Sequence, residues 1–369
     1  MRAPGRVPPC APALSLALAG MLSLALAGCH RKPDIIPGSS SDSTQALGAD
    51  SGAVELKTLA DRWETPDQAA DAARLTGEAV LQDLRAHALA EPELVWQDRA
   101  RELLDSLGIG AELASARCVM AANFFSRGNP DGGSWAWAYW CGRDGIQGQA
   151  IQGGGMTLLA AAGRGLFGQP PVPPGAPGVA VLFGRRGITG ALPLLYVFKP
   201  RDRGLELTQT LGPDSLGGSG TGTFEAHGDT VQLVTRTFRP TPHFDECPAC
   251  PHVTRVHRFA WLPGGFARVS DVTVPTPYAS FVELIAALAS GNRDAAMAHV
   301  TDPTLVDAAQ RAMWDQPHGT WRVAPQTDAS ATDIVFYRGA KDAWRVHFTQ
   351  RDNQWVMTAF EPTERGAIE

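Results

Sequence analysis

Apolar residues are spaced in three different ways along this chain, and each spacing predicts a different kind of segment. From Ala11 to Ala27 they form an almost unbroken run of Ala, Leu, Ser and Gly. From His30 to about Glu55 there is no period at all, and the stretch is polar and Ser/Gly-rich (Gly38-Ser39-Ser40-Ser41-Asp42-Ser43), the pattern of a flexible tether. Beyond it the period alternates between helical and two-residue spacing, which predicts packed helices and strands.

Helix starts carry one chemical signature, a capping side chain followed by proline, at Thr65-Pro66, Thr276-Pro277 and Asp302-Pro303. Thr65-Pro66-Asp67-Gln68 supplies an N-cap hydroxyl, a proline at the first helical position and a Gln three residues after the cap. The helix after it is expected to run to about Ala88. A second begins near Pro92, carries Trp96, Ala100, Leu103, Leu104 and Leu107 on one face, and stops at Gly108. The two form an antiparallel hairpin packed on the strand-rich region beyond Gly108. From Ala116 to about Val274 the period is two. The strands expected there are Arg117–Phe125, Ser134–Cys141, Val179–Phe183, Leu194–Phe198, Leu205–Leu211, Thr230–Arg239, Val253–Leu262 and Phe266–Ser270. The Pro-rich stretch Gln169–Pro177 is a surface loop or internal boundary.

Pro275-Thr276-Pro277 marks a change back to helical spacing, with Phe281, Ile285 and Leu288 on one face before Gly291. Short helices come after Asn292 and Asp302, then strands over Thr320–Ala324, Asp333–Arg338, Ala343–Thr349 and Gln354–Phe360. The fold class is therefore α+β: a helical hairpin on a mostly antiparallel β domain, then a small α+β domain with a four-stranded meander. The order of elements after residue 276 resembles the nuclear-transport-factor-2-like and cystatin-like superfold, in which a curved sheet wraps a helix. That resemblance implies a fold and no particular activity. The expected domain limits are 1–28 (signal), 29–56 (tether), 57–275 (helical hairpin plus β domain), 276–362 (α+β domain) and 363–369 (tail).

At the N-terminus Arg2 and Arg6 precede the apolar run, and small residues close it; charge, apolar stretch and small-residue cleavage site are the layout of a secretory signal. Leu26-Ala27-Gly28-Cys29 resembles the lipobox of bacterial lipoproteins. The resemblance implies cleavage before Cys29, a thioether-linked diacylglycerol on its sulfur, and a further fatty acid such as palmitate on the freed amine. Two or more acyl chains hold firmly where one is marginal. His30, rather than an Asp, follows the cysteine, which in such lipoproteins favours the outer membrane, facing periplasm or surface. The alternative, an uncleaved span over Cys10 to Gly28, lacks the residue sizes of an anchor.

Hydrophobic residues make up 44% of the 369, enough to bury a core and exclude wholesale disorder. The formal charge is -6, and loss of residues 1–28, with two arginines and no acid, makes it more negative. Arginines are scattered without a stripe, so no nucleic-acid surface is expected.

Export sets the reading of the cysteines, because oxidising conditions favour disulfides. With Cys10 removed and Cys29 lipidated, four remain and three pairings are open. Cys118 and Cys141 lie symmetrically about the Asn129-Pro130 turn, so antiparallel strands joined there set them opposite each other. Cys247-Pro248-Ala249-Cys250 sits between two strands and admits three readings. These are a local disulfide, a zinc site using His243, Cys247, Cys250 and His252, and a redox pair. Haem attachment is excluded because Pro251 occupies the position of the required histidine.

Gly163-Arg164-Gly165-Leu166-Phe167-Gly168 matches the dinucleotide-binding string, yet Pro170-Pro171 blocks the helix that string needs, so a loop is expected. Gly217-Gly218-Ser219-Gly220-Thr221-Gly222 fails the register of a nucleophile elbow. Trp135, Trp137 and Tyr139 share one strand face and serve either as core or as an aromatic platform for a glycan. Either Tyr337, Arg345 and His347 point into a concave pocket, or His347 is an exposed strand residue.

These features lead to a lipid-anchored cell-envelope protein acting as a non-catalytic binding or scaffolding module for an envelope polymer or protein. An envelope hydrolase with an interdomain or C-terminal pocket, and a zinc or redox role at Cys247/Cys250, are the alternatives. Neither a catalytic residue nor a cofactor is assigned. Cys29→Ser is expected to abolish incorporation of labelled fatty acid and to leave an uncleaved precursor on a gel. Labelling that persists in the variant refutes the lipidation site.

Overall fold

The computed structural model describes residues 59–88, 96–116, 119–129, 133–142, 145–153, 156–164, 178–188, 190–201, 204–227, 230–262, 265–316, 319–340 and 342–364. The signal segment, Cys29, the tether, Cys118, the Pro-rich stretch and the last residues of the tail lie outside them. All described residues belong to one compact unit.

Four antiparallel sheets are built in strict chain order, each from four consecutive strands. The first holds β1 (Ile109–Ala116), β2 (Val119–Ser126), β3 (Ser134–Gly142) and β4 (Gly145–Gly153). The second holds β5 (Met156–Arg164), β6 (Gly178–Arg186), β7 (Ala191–Arg201) and β8 (Gly204–Leu211). The third holds β9 (Ser219–His227), β10 (Thr230–Phe238), β11 (Arg255–Leu262) and β12 (Gly265–Thr273). The fourth holds β13 (Trp321–Arg322), β14 (Asp333–Arg338), β15 (Asp342–Arg351) and β16 (Gln354–Pro362). The helices are α1 (Ala69–Ala88), α2 (Trp96–Ser106), α3 (Pro213–Leu216), α4 (Pro277–Ala289), α5 (Arg293–Met297) and α6 (Pro303–Arg311). The chain is α+β, mostly β. Among the described residues no helix is long and apolar enough to cross a membrane.

The alternation along β6 and β7 explains how the first three sheets stack. Val179, Val181 and Phe183 join Val119, Ala121, Ala138 and Trp140 of the first sheet in one core. Their neighbours Ala180 and Leu182, with Leu195 and Val197, join Leu233, Phe259 and Phe266 of the third sheet in another. The second sheet is thus covered on both faces, which is why β6 reads as a continuous apolar run. Helices α1 and α2 cover the far face of the first sheet, where Ala72, Val80, Leu84 and Leu104 meet Phe124, Trp137 and Tyr139. Arg99 on α2 pairs with Asp83 on α1 at 2.9 Å through both of its oxygens. Before α1 the expected capping sequence makes a 3-10 turn, Pro66–Gln68, with the Gln68 amide donating to the Thr65 carbonyl at 2.9 Å.

That layering puts Trp135, Trp137 and Tyr139 with the core, one of their two readings, and not on a glycan platform. Helix α1 lies on their face. Trp137 and Tyr139 are buried, the Tyr139 hydroxyl donates to the Gly77 carbonyl at 3.1 Å, and Trp135 meets Trp63 edge-on at 5.3 Å. Burial pushes the Tyr139 phenol well above its ordinary range.

Four strands carry no alternation that the sequence reveals: β1, β4, β5 and β9. Gly163 and Arg164, expected in a loop, are the last residues of β5. The glycines of these strands supply space. A Cβ at Gly110 of β1 would lie 2.3 Å from the Phe125 ring, and one at Gly148 of β4 would lie 2.8 Å from the Tyr139 ring. Large rings on one strand therefore require bare backbone on its neighbour, and the glycines that result look like loop residues. The hairpin of β2 and β3 has the expected register, from Val119↔Trp140 to Phe125↔Ser134.

In the C-terminal region every expected cap is present. The Thr276 side chain accepts from the Ala279 amide at 3.0 Å, Asn292 from Ala295 at 3.1 Å, and Asp302 from Thr304 at 2.8 Å. Pro277 and Pro303 open α4 and α6. The core here is aromatic and centred on Phe281. It stacks on Phe336 at 3.7 Å and meets Trp314 at 5.5 Å and Trp321 at 5.1 Å edge-on.

The tight approach of α1 to the first sheet is testable at Gly77, where a Cβ would lie 2.1 Å from the Trp137 ring. Replacing a helical glycine by alanine ordinarily gains about 1 kcal/mol. Overpacking a filled core costs about 1–3 kcal/mol, and a bicyclic ring cannot swing aside. At 2.1 Å the clash lies at the upper end of that range and outweighs the gain, so Gly77→Ala is expected to lower stability by about 1–2 kcal/mol in a urea titration. A gain in stability contradicts this packing.

Candidate functional site around the Cys247–Cys250 loop

The segment from Arg239 to Thr254 joins β10 to β11, whose register ends at Thr237↔Arg255. Strand spacing on either side predicts a hairpin with this loop at its tip. The loop instead crosses to the C-terminal core. Phe244 makes a parallel bridge to Trp321; the Trp321 amide donates to the His243 carbonyl at 2.8 Å, and the Asp245 amide to the Trp321 carbonyl at 2.7 Å. Further on, the Gln326 amide donates to the Ala249 carbonyl at 2.8 Å. The Phe244 ring meets Tyr278 at 5.9 Å and Phe281 at 6.2 Å, both edge-on.

Cys247 and Cys250 are joined by a disulfide, with Cα atoms 5.0 Å apart, and the Cys250 amide donates to the Cys247 carbonyl at 3.0 Å. This is the local disulfide of the three readings. The zinc set is not assembled. Its two sulfurs are bonded to each other, and His243 is exposed. His252 stacks face to face on Phe238 at 3.7 Å, with Nδ1 3.3 Å from Glu246. Among the described residues no group of three or more His, Cys, Asp or Glu side chains is placed to hold a metal ion. Buried Pro251 follows the second cysteine and the chain runs on extended into β11, so no helix N-terminus lowers either thiol pKa.

The chemistry of the loop centres on Glu246, which the sequence did not single out. Its side chain is 4% exposed. It accepts from the Thr241 hydroxyl at 2.7 Å, the Thr241 amide at 3.3 Å and the Tyr278 hydroxyl at 3.0 Å, and lies 3.3 Å from His252 Nδ1. Burial by itself raises a carboxyl pKa. Here the hydrogen bonds from His252, Thr241 and Tyr278 outweigh burial and hold Glu246 below its ordinary value. Burial, together with the charge of Glu246, pushes the Tyr278 phenol far up. A saturated carboxylate between two bonded layers is a fastening; with its lone pairs occupied it has no open position at which to accept a proton from a substrate.

A second constellation also escaped sequence reasoning. His299 Nδ1 lies 3.3 Å from the Ser280 hydroxyl, and His299 Nε2 lies 3.7 Å from Glu283. These are the residue types of an acyl-transfer triad. Ser280, however, is buried in the first turn of α4, and its hydroxyl donates to the Trp355 carbonyl at 2.7 Å. The proton a nucleophile must surrender is committed to the backbone. The trio ties α4 to β16, and only the i, i+3 spacing of Ser280 and Glu283 was visible in sequence.

Tyr337, Arg345 and His347 do not converge. Tyr337 is buried, Arg345 is exposed, and His347 pairs with Asp333 across β14 and β15. The space expected of a C-terminal pocket is occupied by Trp314, Trp321, Trp344 and Phe360, in contact with one another. Cys141 is the last residue but one of β3, and its expected partner Cys118 lies outside the described residues.

No protein-family model, curated protein or solved structure matches this chain. The chemistry of the site is therefore read from its own geometry.

A carboxyl held below its unfolded pKa adds stability above that unfolded value and loses it as pH falls through the folded value. Glu246→Gln is therefore expected to cost about 2–4 kcal/mol at pH 7. The gap to the unsubstituted protein should close below pH 4.5, the ordinary carboxyl value, as Glu246 itself protonates. Urea titrations across that range measure it, and a gap independent of pH contradicts the charged, buried state.

Proposed function

We propose that this is a lipid-anchored cell-envelope protein whose body is a non-catalytic binding or scaffolding module. The observation that carries the reading is Leu26-Ala27-Gly28-Cys29 standing directly after a charged start and an apolar run, with a polar tether behind it. Cys29 then carries the lipid, His30 directs the protein to the outer membrane, and the tether gives the body reach. An envelope polymer or another envelope protein is the partner. In its finer architecture the body is a helical hairpin on stacked sheets, ending in a unit of the nuclear-transport-factor-2-like and cystatin-like kind.

Two features of the body support a non-catalytic role. Among the described residues, Cys247 and Cys250 are closed in a disulfide, and Glu246 and Ser280 are each engaged in a hydrogen bond to a distant part of the chain. The space a C-terminal site needs is filled by aromatic rings.

Fractionation of cells producing the full chain tests both halves. The protein is expected to stay with membranes through high salt and carbonate and to leave with detergent. Crosslinking in cells is expected to give one reproducible adduct, either to a protein or to the cell-wall polymer, that Cys29→Ser lacks. Release by salt removes the anchor. Cleavage of envelope glycan or peptide by the purified chain moves the assignment to a hydrolase.

A further inference from the structure

We propose that the turn joining β6 to β7, Arg185-Arg186-Gly187-Ile188, is a membrane-contact element that rests on an anionic phospholipid surface. The proposal rests on the lipid-anchor reading above and adds to it the face that the body turns toward the bilayer.

The turn protrudes. The last pair between β7 and β8 is Leu195↔Leu211, whereas β6 and β7 stay paired four residues further, to Arg186↔Ala191. On the other side β5 begins opposite Arg185, at Met156. Among the described residues of the second sheet, no strand pairs with the chain beyond Arg186 and Ala191. The turn is also built to hold its shape, since the Gly187 amide donates to the Gly190 carbonyl at 2.9 Å and Gly190 takes φ +135°.

Its side chains are uncommitted. Arg185 and Arg186 are both exposed and have no ion-pair or hydrogen-bond partner for their guanidinium groups among the described residues. Most other described arginines have one: Arg74, Arg99, Arg255, Arg258 and Arg338 all bind a carboxylate. Ile188 is 95% exposed, against 47–57% for the other exposed large apolar residues. A fully exposed isoleucine beside two free guanidiniums on a protruding turn matches the two layers of a lipid surface. Arginines meet phosphate oxygens at the headgroup level, and the apolar side chain enters the boundary below.

Charge favours one surface. The chain as a whole is acidic, at -6, so an anionic bilayer repels most of the body. That repulsion is screened beyond about 8 Å at physiological salt, and a local pair of arginines at contact distance prevails within it. The effect is orientation: one end of the second sheet faces the lipid and the acidic remainder faces away. Two arginines raise the population of such a contact about thirtyfold at an anionic surface. A tether of about 26 residues spans about 25–30 Å and holds the body at an effective concentration of about millimolar, so a weak contact suffices.

The test uses the full, lipidated chain with Ile188→Cys carrying the environment-sensitive dye NBD, attached without reductant so that disulfides stay closed. The protein is reconstituted into vesicles of phosphatidylcholine alone or of equimolar phosphatidylcholine and phosphatidylglycerol. The dye is expected to shift to the blue and resist an aqueous quencher only where phosphatidylglycerol is present. Arg185→Gln with Arg186→Gln is expected to lower the contact constant about thirtyfold, with an unchanged unfolding midpoint showing the fold intact. A dye that reports water in both compositions, or the same shift in both, overturns the proposal. So does a shift without vesicles that grows with protein concentration, which assigns the turn to a second copy of this chain. Flotation of the same samples separates the two readings. Protein that floats with its dye in water keeps the anchor and loses the contact. Protein that fails to float with neutral vesicles loses the anchor, and the dye at saturating anionic vesicles still decides the contact.

Discussion

The carboxylate of Glu246 is the constraint around which the two halves of this body are joined. Taking such a charge out of water costs several kcal/mol unless its lone pairs are filled. Thr241 and His252 come from the loop itself, but the Tyr278 hydroxyl comes from α4, in the other half. The loop therefore cannot settle without the C-terminal core, nor can that core close without the loop. The disulfide beside it encloses few residues and contributes only about 2 kcal/mol through chain entropy. Its larger effect is to hold the turn that aims Glu246 inward and presents the Ala249 carbonyl to Gln326.

The same logic recurs between the stacked sheets, where polar side chains bind backbone groups at strand edges. Glu112 on β1 accepts from the Leu158 amide on β5 at 2.7 Å, and Gln149 on β4 accepts from the Leu205 amide on β8 at 2.8 Å. Gln209 on β8 copies a strand, accepting from the Phe266 amide at 2.8 Å and donating to its carbonyl at 2.9 Å. These bonds satisfy backbone groups at strand ends and edges that would otherwise be left open between layers. They also fix the register of one layer on the next, which apolar contact alone specifies poorly.

Buried histidines give the body an acid-sensitive side. His257 on β11 is buried, and burial lowers its pKa; Asp271 opposes the shift, while Arg268, Arg255 and Arg239 add to it. Gly217, at φ +106°, packs so close to the ring that a Cβ there would lie 2.1 Å from Nε2, so no side chain is tolerated. His299 is lowered by burial as well, with Glu283 opposing. Groups kept neutral in the folded state are protonated first in the unfolded one, so stability falls as pH drops through 6.5, the ordinary histidine value.

Local chemistry was legible wherever it acts over a few residues. The caps at Thr276, Asn292 and Asp302, the two helix-opening prolines, the strands after residue 320 and the β2–β3 register all come from short-range hydrogen bonding and alternation. The proposed lipid-attachment signal ending in Cys29 is likewise a linear string, and it lies outside the described residues. What the tertiary structure decided is which face of each element is covered and which distant groups meet. Period-two spacing put Trp135, Trp137 and Tyr139 on one face but carried no sign that α1 would lie there. Glycine-rich strands such as β4 and β9 were unreadable, because their glycines answer to groups on a neighbouring strand, the Tyr139 ring at Gly148 and the Arg236 carbonyl at Gly220. Glu246 and Tyr278, 32 positions apart, leave no mark on the pattern around either one. A burial decision depends on what arrives from elsewhere in the chain, and a linear pattern records only what each residue offers.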